Sequence, residues 1–243
     1  MYDGSLYALK KVSKKFAMKW KGELIKREFE IMKTVNHPFI AKLVASYSDS
    51  RDYNFLIEFC PGGNLYELIR KFKRLPVGMS LYYFTEMLLA LEYLHTRYII
   101  FRDIKAENIL VDAKGHLKLT DFGLAQKLET RDALVESFCG SPIYIAPETI
   151  SKEKYSVKVD FYALGVLLYE MIVGSPPFMN RDSNILKAMK LEGKVKYPNS
   201  MNPIIKDMIE KCMNRVAPSF NHRIPLCAVR TSNTTTDSCS LWA

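Results

Sequence analysis

The chain has 243 residues, 48% hydrophobic and 25% charged, with a net charge of +9, an ordinary globular composition for one or two domains. Its five cysteines are odd in number and lack paired metal-ligand spacing, which argues against a metal cluster and fits a reducing, cytoplasmic setting; no stretch reads as a leader, and the longest apolar run, 161–173, is too short to span a membrane and contains Glu170. The positive charge gathers at Lys10, Lys11, Lys14, Lys15, Lys19 and Lys21 and at 70–74 with no interleaved aromatic platform, so no nucleic-acid partner is expected.

In chain order, Leu-Tyr-Ala-Leu-Lys-Lys-Val at 6–12 alternates as a strand. Alternation places Ala8 and Lys10 on one face and Lys11 on the other. Residues 23–35 read as an amphipathic helix, with Leu24, Ile25, Met32 and Val35 on one face. Glu28 shares that face, where a carboxylate is costly unless paired. Lys10 is the expected partner and Lys33 the competing surface choice. Asn36-His37-Pro38-Phe39 ends the helix. His37 has no second ligand nearby in sequence and reads as structural.

Strands are predicted at 40–46 and 53–59, followed by the turn cluster Cys60-Pro61-Gly62-Gly63. Beyond it the composition becomes helical, so the boundary between two units is placed there: a sheet-rich part over 1–60 and a helical part over 61–224. Helices are predicted at 64–73, 80–96 and 159–173. The last two are apolar on most faces and should be buried. His95, at the end of the second, reads as a cap or core histidine. Asp160, at the start of the third, must find donors once buried, and backbone amides are the expected source. The polar run within 225–243 has no helical period and is expected to be disordered.

The densest chemistry lies at 101–123. Phe-Arg-Asp-Ile-Lys-Ala-Glu-Asn is followed by Ile109-Leu110-Val111, a turn at 112–115, an alternating strand at 116–120 and Asp-Phe-Gly. Such a hairpin brings its ends together, and with them Asn108 and Asp121, two oxygen ligands suited to magnesium. Asp103 stands just upstream, able to take a proton from a nucleophile.

This stretch resembles the catalytic loop and metal-binding loop of protein kinases. The resemblance implies that Asp103 is the catalytic base, that Lys105 stabilises charge on the transferred phosphoryl, and that Asn108 and Asp121 hold Mg2+. Lysine at 105 looks like a serine/threonine kinase. Phe101 replaces the commoner His or Tyr, and Ala106 the commoner Pro. By the same resemblance Lys10 holds the α- and β-phosphates of ATP and pairs with Glu28. The backbone of Glu58 and Cys60 meets adenine, and Ala8 and Leu110 line the adenine pocket. Residues 137–148 resemble the activation segment of the AGC kinase group. Ser137 then occupies the position that an upstream kinase phosphorylates, Ser141 contacts the base, and Glu148 pairs with Arg223.

The fold expected is α+β, a two-lobe kinase-like architecture with a small, truncated, sheet-rich N-lobe and a helical C-lobe. The reaction implied is transfer of the ATP γ-phosphoryl to a protein Ser or Thr. The glycine-rich loop that precedes the third strand in the family is missing here, since only five residues precede Leu6. That leaves two rivals, a catalytically impaired scaffold and a truncated kinase fragment, and predicts weak nucleotide binding and slow transfer or none for the 243-residue chain.

Overall fold

The computed structural model describes residues 4, 6–15, 22–130 and 133–214. Strand β1 (Tyr7–Ser13), helix α1 (Gly22–Thr34), β2 (Leu43–Ser48) and β3 (Asp52–Glu58) form the first part. Both outer strands run antiparallel to β3, in the order β1-β3-β2. The central strand therefore carries the buried Phe55 and Ile57, whereas β1 alternates between exposed and half-buried positions. Ala8 lies opposite Ile57 and Lys10 opposite Phe55. Helix α1 turns Ile25, Glu28, Ile31 and Met32 inward, so the predicted face is the buried one.

The strand predicted from residue 40 begins only at Leu43. Its first residues are claimed by another partner: Ala41 N donates to Leu119 O at 2.9 Å, Leu119 N to Phe39 O at 2.9 Å, and Ile40 bridges Leu119 in parallel. An alternating apolar pattern cannot distinguish these two pairings. The segment thereby ties the three-stranded sheet to the rest of the molecule.

The remainder is mainly helical: α2 (Leu65–Phe72), α3 (Val77–His95), α4 (Pro147–Ile150), α5 (Lys158–Val173), α6 (Ser183–Glu192) and α7 (Pro203–Met213). Asn64 caps α2 by accepting from Glu67 N. Helix α3 starts three residues before the predicted Ser80, because Pro76 sets its N-terminus and the Ser80 hydroxyl bonds back to Pro76 O at 3.1 Å. Helix α5 is buried almost all round. Its Gly165 lets α7 approach closely, since a Cβ there would lie 2.6 Å from Cys212 Cβ. No helix among the described residues is long and apolar enough to cross a membrane.

Two short antiparallel pairs complete this part. Strand β4 (Ile99–Ile100) pairs with β7 (Gln126–Lys127), and β5 (Ile109–Val111) with β6 (Leu117–Leu119). Arg223, the expected partner of Glu148, and residues 225–243 lie outside the described residues.

Candidate active site

The β5–β6 hairpin does what its sequence implies. Thr120 N donates to Asn108 O at 2.9 Å, so the residues flanking the hairpin are neighbours. Asp121 follows with φ of 63°, a left-handed turn, and Phe122 is fully buried. Phe122 meets Phe101 edge-on, with centroids 5.1 Å apart and rings at 89°. The aromatic body at 101 is thus used in packing, without a polar tip.

Asp103 is buried and receives three side-chain donors. Ser141 Oγ donates to its Oδ1 at 2.9 Å, Lys105 Nζ to Oδ2 at 2.7 Å and Asn108 Nδ2 to Oδ2 at 2.8 Å. Lys105 Nζ also reaches Ser141 Oγ at 3.1 Å, which closes a triangle of carboxylate, ammonium and hydroxyl. Gly140 precedes this hydroxyl with φ of 102°, and a Cβ there would meet Arg102 O at 2.7 Å. Only glycine lets the segment pass so close to the loop.

The loop is braced from beneath. Asp160, 1% exposed at the start of α5, accepts from Phe101 N at 2.9 Å and Arg102 N at 2.7 Å, and contacts His95 Nε2 at 2.8 Å. Arg102 has φ of 70°, so these bonds hold a backbone conformation that a side chain disfavours. Its guanidinium donates to Leu124 O at 2.8 Å and to Ser137 Oγ at 2.7 Å. Tyr155 OH donates to Ser137 O at 2.8 Å.

Lys10 Nζ lies 2.6 Å from Glu28 Oε1 and 2.8 Å from Asp121 Oδ1. Of the two partners weighed for Glu28, Lys10 is the one it meets, while Lys33 lies over the Phe29 ring. Burial pulls the Lys10 pKa down, but the two carboxylates outweigh it and the net shift is upward. The reciprocal pull of Lys10 overcomes burial at Asp121 and lowers its pKa. The site therefore presents an ionised carboxylate beside an ammonium.

Around the predicted adenine pocket, Gly62 N donates to Val111 O at 3.0 Å and Val111 N to Gly63 O at 2.9 Å. These bonds fasten the turn after β3 to the strand that carries Leu110, half-buried there. Glu58 directs its carboxylate elsewhere, to Lys118 Nζ at 2.8 Å, and Cys60 is buried, its thiol pushed up to about 11 chiefly by burial. Ala8 is half-buried on β1.

Among the described residues no group of three or more His, Cys, Asp and Glu could hold a metal. Magnesium needs no such cage, because one or two protein oxygens suffice when substrate phosphates and water supply the rest. The Asp121 carboxylate, half exposed, and the adjoining Asn108 fit that requirement.

Sequence reasoning missed several groups around the site. Tyr144 OH donates to the buried Glu170 carboxylate, and burial raises the pKa of both. Tyr155 holds Ser137, and Lys190 lies under residues 142 and 143. Each pairs with a segment remote in sequence; the one local signal is a lysine on the face of α6 that also buries Leu186.

A kinase-like active centre is what this fold and geometry define, and the chain belongs to that family: residues 2–223 match the family described as protein kinase domain. It is 39% identical over 217 residues to cAMP-dependent protein kinase type 3 of Saccharomyces cerevisiae, covering 88% of this chain and 53% of that protein. The cAMP-dependent protein kinase catalytic subunit of Schizosaccharomyces pombe is 39% identical over 210 residues, 86% of this chain and 41% of its own length. The mouse catalytic subunit PRKX is 40% identical over 189 residues, 78% of this chain and 52% of its own length. The chain spans about half or less of the length of these relatives.

Proposed function

We propose that the chain carries the catalytic machinery of a serine/threonine protein kinase, which moves the γ-phosphoryl of ATP to a protein hydroxyl. The observation that carries this reading is the triangle at Asp103: a buried carboxylate accepting from a hydroxyl at 2.9 Å while Lys105 bridges both. A substrate hydroxyl entering this triangle finds an acceptor for its proton and a cation for developing charge. The hydroxyl oxygen forms the bond to phosphorus as the bond to the bridging oxygen breaks. The proton passes to Asp103, and the electron pair leaves with ADP. Lys10, paired with Glu28 at 2.6 Å, would meet the phosphates. Asn108 and Asp121 would hold Mg2+, which when bound offsets charge on the phosphates. Ala8, Leu110 and the backbone at Glu58 and Cys60 would enclose adenine. An upstream kinase acting at Ser137 and an intracellular setting complete the proposal.

Glu107 and Glu170 support a weak preference for basic residues before the acceptor. Glu107 is exposed, but Glu170 is buried and already occupied by Tyr144, which limits its share. Phe138 and Pro142 are exposed and offer apolar surface after the acceptor, whereas Ile145 is buried and contributes little to it.

The test is Asp103→Asn. The amide preserves size but accepts no proton, so turnover on a serine peptide should fall by about two to four orders of magnitude. Unchanged turnover would remove the base assignment. An inactive parent that still binds nucleotide would favour the scaffold reading.

A further inference from the structure

The turn 141–145 presents the Ser141 hydroxyl to Asp103, and two of its carbonyls are met by helix α6. Lys190, 0% exposed, places Nζ 3.2 Å from Pro142 O and 2.5 Å from Ile143 O. The ammonium also lies 5.5 Å from the centroid of the Tyr162 ring on α5. Among the described residues no carboxylate pairs with it, so the two turn carbonyls and the ring are what offsets its burial. Three residues earlier on the same helix, Lys187 Nζ lies 5.9 Å from the centroid of Phe138, at the other end of the segment.

A lysine that merely filled space here would be outdone by leucine or methionine, which fill it without desolvating a charge. What Lys190 adds over those residues is donors aimed at one turn. Even as a neutral amine it keeps two N–H groups, enough for both carbonyls.

We infer that Lys190 is a positioning residue for the protein substrate: it fixes the 141–145 turn from behind, and so sets Ser141 against Asp103 and the apolar surface that receives the residue after the acceptor. The inference rests on the kinase reading for its substrate, but not for its geometry.

Two readouts separate these. Hydrogen exchange of the turn is followed in the parent chain, in Lys190→Met and in Lys190→Gln, together with peptide and ATP KM. In the Met variant, exchange across the turn should accelerate by about ten-fold, the scale of losing charge-assisted bonds. Peptides from α3 and from the β5–β6 hairpin should be unchanged. Peptide KM should rise by about ten-fold while ATP KM stays within about two-fold. Gln, which keeps two shorter-reaching donors, should fall between Met and the parent. It also decides the matter if the Met variant does not fold: Gln exchange and peptide KM equal to the parent's would then overturn the inference. Unchanged turn exchange in a folded Met variant overturns it outright, as does faster exchange with unchanged peptide KM. Faster exchange in proteins that transfer no phosphate supports the clamp and defeats the kinase reading alone.

Discussion

Replacing Asp160 with Asn tests how the catalytic loop is held. The carboxylate uses separate oxygens for Phe101 N and Arg102 N, with His95 as a third contact. An amide has one acceptor oxygen, and its NH2 group must face a donor. At least one buried backbone N–H is left without a partner, and the other loses a charged acceptor. Hydrogen bonds to charged groups contribute about 1.5–3 kcal/mol each, so the loss should be about 3 kcal/mol or more. For a chain of this size that corresponds to roughly 6–12 °C in melting temperature. Arg102, at φ of 70°, has a strained backbone that those bonds maintain, and Asp103 is the next residue. Relaxation there would displace the Asp103 carboxylate, and if Asp103 is the base proposed above, a shift of about 1 Å should cost on the order of 100-fold in rate. Thermal melts and peptide phosphorylation assays measure both effects. A variant that melts within about 1 °C of the parent with equal turnover would refute the brace.

Three further outcomes are expected. Phosphate on Ser137 would bring up to about two negative charges to the Arg102 guanidinium, now 2.7 Å from the hydroxyl; mass spectrometry of active protein should find it, and wholly unmodified Ser137 would count against the switch. A peptide array should show a mild basic preference upstream of the acceptor and an apolar one after it, and acidic upstream selection would contradict the roles given to Glu107 and Glu170. Burial holds the Lys190 pKa down at about 7, against 10.5 for an ordinary lysine. Tyr162 faces it, Glu148 acts on the Tyr162 hydroxyl, and Glu192, Tyr197 and Glu210 line the adjoining cavity. Between those two values the unfolded chain binds the extra proton, so stability should climb with pH; below about 7 both states are protonated and the full penalty remains. Lys190→Met removes this term, and its melting temperature relative to the parent should be most favourable near pH 6 and less so near pH 9; a pH-independent difference would mean that Lys190 does not titrate in this range.

What the sequence made legible was the chemistry that local geometry gathers. Asp103, Lys105, Asn108 and Asp121 share one loop-hairpin-loop stretch, and a three-residue strand pair fixes their approach. The Lys10–Glu28 pair was legible for a different reason: two independent periodicities each turned a charge toward the interior, and each charge needed a partner. Helices α6 and α7 were not singled out, although Asp182 and Asn202 cap them and Pro203 opens the second. The start of β2 was misplaced because Ile40 satisfies either pairing. The hidden groups have a common physical character. Lys190 and Tyr144 are polar side chains whose partners lie 47 and 26 positions away, and the partner of Lys190 is loop backbone. A carbonyl carries no residue identity, so no pattern of residue types announces it. The lysine at 190, on the face of α6 that buries Leu186, is legible only as a violation of the apolar pattern. What resolves the violation is the tertiary position of the activation segment, and that position is also what brings Ser141 to Asp103.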